Sequence, residues 1–110
     1  MSRDIPESDW KVLRQLHRVA LDRYCQRVLD EIALIASETT GTAHERYLKI
    51  YRVIQERDEM ISAVFSGLRR SRAIMQLLMI HAQGLITEEE IERFTQSTRD
   101  VIARVSAERA

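Results

Sequence analysis

The sequence predicts an all-α protein: a long antiparallel helical hairpin plus a shorter third helix, forming one domain over residues 1–110 and dimerising into a helical bundle. Three observations predict it. One proline and three glycines among 110 residues leave long stretches without a breaker. Leu, Ile, Ala, Arg and Glu abound, which favours helix. Apolar side chains recur in steps of three and four, the period of one helix face. At 45% apolar, the chain has enough hydrophobic side chains for a core.

The first helix is predicted to begin between Pro6 and Asp9 and to run to about Glu38. Pro6 suits a first turn, Ser8 can cap it, and Glu7 and Asp9 favour the positive end of the helix dipole. Leu21, Cys25, Val28, Ile32 and Ile35 make one apolar stripe, extended upstream by Leu13, Leu16 and Ala20. Arg14, Arg18, Asp22, Gln26 and Asp30 form the opposite, solvated face.

"TTGT", Thr39 to Thr42, interrupts the pattern. Gly41 can take the left-handed geometry that ends a helix, and Thr42 with Glu45 reads as a capping box for the next. No strong stop follows before Gly84, so the second helix is predicted to run about 40 residues, roughly 60 Å. Gly67 is expected to bend it at most. Thr87 with Glu90 forms another capping box, flanked by Ile86 and Ile91 as a hydrophobic staple. The third helix is predicted to reach about Ser106, with Ile91, Phe94, Thr98, Val101 and Val105 as its buried edge.

Along the second helix, Tyr47, Tyr51, Ile54, Asp58, Ile61, Phe65, Leu68, Arg72, Met75, Met79 and Ala82 alternate steps of four and three. This is a stripe of coiled-coil regularity. With Leu78 beside it, the stripe is the predicted interface of a homodimer. Its two charges require partners. Within one hairpin, residues whose numbers sum to about 82 face each other, which pairs Tyr24 with Asp58 and Trp10 with Arg72. Between two chains crossing antiparallel at Phe65, Asp58 would instead meet Arg72 of the partner subunit. Ile74 to Ile80 is apolar at every position but Gln76, more than one surface face needs. That segment is expected to be shared between helices and a second chain.

Lys plus Arg equals Asp plus Glu at 17 each, which argues against a dedicated polyanion or nucleic-acid binder. The basic patch Arg69, Arg70 and Arg72 is the one feature suited to phosphate. The favoured reading of it is a solvated basic turn paired to acids such as Glu92 or Asp100. One cysteine excludes an internal disulfide, and its place on the first helix's stripe makes Cys25 a core thiol. The first ten residues lack an apolar signal core, and "AIMQLLMI" is far short of the ~20 residues of a membrane span. A reduced, cytoplasmic protein is the expectation. His17, His44 and His81 show no metal-ligand spacing, and no nucleophile–base arrangement or phosphate loop occurs, so no catalytic residue, metal or cofactor is assigned. The best polar group is Tyr24, Glu31, His44, Arg46, Tyr47, Tyr51 and Arg57, which reads either as the lining of a small anion-binding crevice or as a solvated face whose buried tyrosines are satisfied by neighbours.

The segments "HERYLKIYRVIQERD" and "LRRSRAIMQLL" look like small helical bacterial proteins of unknown function, a likeness that implies no activity. The small all-helical chorismate mutases run long, short, medium; the order here is long, longer, short, and their catalytic lysine has no counterpart. The sequence therefore reads as a non-catalytic homodimeric module that binds or regulates another protein. An anion- or small-molecule-binding protein or small helical enzyme using the Arg/Tyr crevice is the alternative, and nucleic-acid binding through Arg69 to Arg72 the third reading.

Overall fold

The computed structural model describes residues 5–109 and contains five α-helices. They are α1 (Glu7–Ala36), α2 (Ala43–Phe65), α3 (Ala73–Ala82), α4 (Glu88–Ile91) and α5 (Gln96–Arg109), with a 3-10 turn at Arg70–Arg72. The all-α class and the long antiparallel hairpin stand as the sequence predicts. Pro6 is the residue before α1 rather than part of its first turn, and Ser8 makes no cap. Thr42 caps α2 through the Glu45 amide, and Thr87 with Glu90 forms a complete capping box at α4.

Two predicted helices are broken. The second does not run 40 residues. It ends at Phe65, and Gly67 takes φ +67°, the left-handed region that a side chain rarely tolerates. The reason lies in helix lengths. In the hairpin register, Ile74–Ile80 would face residues 2–8, of which only Glu7 and Ser8 belong to α1, so less than one turn of that helix would lie beside them. Turning back at Gly67 brings this segment alongside α1 instead. Arg70 donates to the Ile5 carbonyl at one end, and Arg27 donates to the Gln83 and Gly84 carbonyls at the other. Helix α3 therefore runs parallel to α1, where Ala73, Gln76, Leu77 and Ile80 are buried.

The third predicted helix is also split, at Glu92–Thr95, by a carboxylate. Asp9, 1% exposed, accepts from the Thr95 amide (2.8 Å), the Thr95 hydroxyl (2.7 Å) and the Thr98 hydroxyl (2.6 Å). It fixes the start of α5 against the first turn of α1. The buried edge there is Ile91, Phe94, Thr98 and Ile102, while Val101 and Val105 are half-buried.

Leu13, Leu16 and Ala20 of α1, Val64 and Phe65 of α2, Leu77 and Ile80 of α3, with Leu85, Phe94 and Ile102, form one core at one end of the molecule. The remainder of α1 and α2 projects from this head as a two-helix arm. The extents are 58 × 26 × 23 Å and the radius of gyration is 17.1 Å, against about 13 Å for a compact chain of this length.

Removing the buried carboxylate should be costly. Asp9→Ala is expected to lower unfolding stability by about 3 kcal/mol, since it strands three donors and uncaps α5. Exposed Asp30→Ala should change it by less than ~0.5 kcal/mol. Urea unfolding followed by circular dichroism compares them, and equal effects would contradict this role for Asp9.

Candidate functional site: the open face of the hairpin arm

The two helices of the arm are tied together by ion pairs. Arg57 grips Glu31 with a two-pronged contact (3.1 and 3.0 Å), and Lys49 meets Glu38 at 3.1 Å near the turn. The hydrogen bonds from Arg57 hold the Glu31 carboxyl below its ordinary range, and those to Glu31 raise Arg57. Val28 and Ile61 are partly buried beside these contacts.

One side of the arm is an apolar groove of about 270 Å³. Cys25, Val28, Leu29 and Ile32 of α1 line one wall, and Ile54, Arg57, Asp58 and Ile61 of α2 the other. Tyr47 and Tyr51 continue the α2 wall by steps of four and three and are 64% and 53% exposed. Leu29 and Ile54 are exposed as well. By helical phase the reverse side carries Asp30, Lys49, Arg52 and Glu56, together with Leu34 and Met60. The two sides are thus unequal, one apolar and the other mainly charged. Asp58 stands on the apolar side, exposed, and among the described residues no ion pair reaches it.

The seven residues of the anticipated anion crevice do not converge. Tyr24 is buried against the Phe65 ring, at 6.3 Å between centroids. Arg57 and Glu31 are spent on each other. His44 stacks on Tyr47 at 6.4 Å, and Arg46 turns to the Gly41 carbonyl at 3.3 Å. Arg46 and Arg57 lie 11 residues apart on one helix, roughly 16 Å.

The anticipated interface stripe is also interrupted. Phe65 is 5% exposed, edge-on to His17 at 5.3 Å, and cannot lie on a two-fold axis between chains. Past Gly67 the stripe changes direction. Leu68, Leu78 and Met79 are partly buried on the head, while Met75 is exposed there. Its surviving part is Tyr47, Tyr51, Ile54, Asp58 and Ile61. The expected charge partners differ too. Arg14, not Arg72, lies over Trp10 at 5.6 Å. Arg70 serves the Ile5 carbonyl rather than Glu92 or Asp100. Cys25 is half-buried on the groove wall rather than in the core.

Sequence reading missed the arginines that join arm to head. Arg23 makes a fork to Glu90 (2.7 and 2.9 Å) and also donates to the Leu85 carbonyl, while Arg27 closes the end of α3. The signal was their four-residue spacing, with an excess of arginine over lysine suited to forked contacts. Among the described residues, no three His, Cys, Asp or Glu side chains come together to hold a metal ion, and no helix is long and apolar enough to cross a membrane. Comparison with family models, curated proteins and solved structures finds no match.

The hydrogen bonds from Arg23, reinforced by the Thr87 amide, hold the Glu90 carboxyl down at about 2. A lowered folded-state pKa stabilises the fold above the ordinary carboxyl range, and that stability fades as pH falls from about 4.5 toward about 2. Urea midpoints should therefore drop between pH 5 and pH 3, and drop less in Glu90→Gln. An unchanged pH slope in that variant would contradict the role of the fork.

Proposed function

We propose that the protein is a non-catalytic helical interaction module that works as a homodimer through the open face of its hairpin arm. One observation carries this reading: a two-helix arm whose apolar side is covered by nothing among the described residues. The head uses α3, α4 and α5 to bury its core, and none of them extends over the groove.

Magnitudes support a macromolecular cover. A compact monomer of 12.9 kDa exposes about 6,300 Å², whereas this chain exposes 7517 Å². The surplus, about 1,200 Å² over the whole chain and all atom types, reflects the projecting arm and leaves room for the ~800 Å² that each partner of a standard interface contributes. Isolated exposed apolar residues need no explanation, but a continuous strip of this kind marks an association surface. The anion-binding alternative loses its basis because its arginines are apart and Arg57 is already paired. Arg69 and Arg72 remain exposed, yet with Arg70 committed to the backbone they form no groove for a phosphate chain.

Sedimentation velocity at micromolar concentration is expected to give a dimer. Ile54→Glu places a charge in the open strip and should give a monomer of unchanged helicity, because Ile54 is exposed within its own chain. A wild-type monomer under these conditions would overturn the proposal.

A further inference from the structure

We infer that the second copy docks antiparallel, α2 against α2, with Tyr51 of each chain donating a hydrogen bond to Asp58 of the partner subunit. The inference rests on the homodimer reading above and fixes its register.

The open stretch of α2 runs from Tyr47 to Ile61 and is centred on Ile54. A two-fold axis beside Ile54 buries the strip evenly from both ends and generates the isologous contact expected of a symmetric dimer. An axis nearer Phe65 would bring up side chains already covered by His17 and Tyr24. Covering the strip also covers Asp58, and a carboxylate removed from water needs a donor. On this face the candidates are few. Arg57 holds Glu31 with both prongs, the Cys25 thiol is a weak donor, His44 is stacked on Tyr47, and by helical phase Gln55 and Ser62 stand at the margin of the strip, so the phenols of Tyr47 and Tyr51 are the donors on the strip itself.

Tyr51 and Asp58 are seven residues apart, two helical turns, so they lie on one stripe about 10 Å from each other. An axis midway between them falls at Ile54 and Gln55 and superimposes each on the other's partner. Choosing Tyr47 instead moves the axis toward Arg52 and Val53 and sets Ile61 opposite His44 of the partner subunit, beyond the apolar strip. The Tyr51 register sets Tyr47 near Ile61 and Ser62 of the partner subunit and places Ile54 against its own copy. The neighbouring wall of Cys25, Leu29 and Ile32 then flanks the partner's α2, giving a four-helix layer.

Cysteine crosslinking in a Cys25→Ser background reads the register. Ile54→Cys should form an interchain disulfide on mild oxidation, whereas Tyr47→Cys should not. If Tyr47→Cys crosslinks as readily, the chains are parallel and the proposal fails. If the protein dimerises but neither crosslinks, the register is wrong while the homodimer reading survives. A monomer before oxidation would sink both.

A double-mutant cycle tests the hydrogen bond itself. Tyr51→Phe should raise the dimer dissociation constant on the order of 100-fold, since two hydrogen bonds to a charged group are lost per dimer. Both side chains are exposed within the chain, so folding should be unaffected. Asp58→Ala should weaken the dimer too, and adding Tyr51→Phe to it should cost little more. Independent, additive losses would show that the two residues do not meet.

Discussion

The structure depends on where the ten residues of α3 are buried. Ala73–Ala82 is apolar around most of its circumference, so it requires neighbours on several sides. A straight continuation of α2 would carry it off the end of α1. The turn at Gly67 avoids this by setting α3 parallel to α1, with α5 on its other side. A carbon added at Gly67 would meet only the Arg72 guanidinium, at 2.9 Å, the end of a flexible side chain that can move aside, so the left-handed backbone is what calls for glycine there.

That solution has a consequence for the rest of the chain. The segments after α3 are used to enclose it: Thr87 to Ile91 docks at Arg23, and Thr95 returns to Asp9 before α5 sets out again. All this packing gathers at one end. α1 and α2 are long enough to extend beyond it, and they do so as a pair held by Arg57–Glu31 and Lys49–Glu38. Such exposed ion pairs contribute little stability. The arm has one buried edge between its helices and one open apolar face, the face on which we propose that a second hairpin docks.

Much of this was legible in the sequence, and the exceptions have physical causes. The two capping residues Thr42 and Thr87 marked helix starts through chemistry local to four residues, and those starts are where expected. A single glycine in an otherwise periodic run reads as a weak helix penalty, so the break at Gly67 is not legible locally. The decisive information was the start of α1 at Glu7, which limits how far a hairpin partner can be covered. The heptad pattern through Met79 was real as a pattern, yet a pattern does not record that its two halves lie on different helices. Asp9 sat among residues suited to a helix dipole, and nothing local indicated that its partners were Thr95 and Thr98. The proposed crevice failed for a related reason. Tyr24, Glu31 and Arg57 do come near the arm's centre, but the two charges neutralise each other and the ring turns inward to Phe65.

The central claim is that the arm is half of a bundle, completed by another copy, while the head is complete by itself. Amide hydrogen exchange measured across a range of protein concentrations tests it most directly. The account predicts that protection over residues 47–61 and 25–36 rises with concentration, while protection over 73–82 stays constant. Protection of the arm that does not change between dilute and concentrated protein would contradict it.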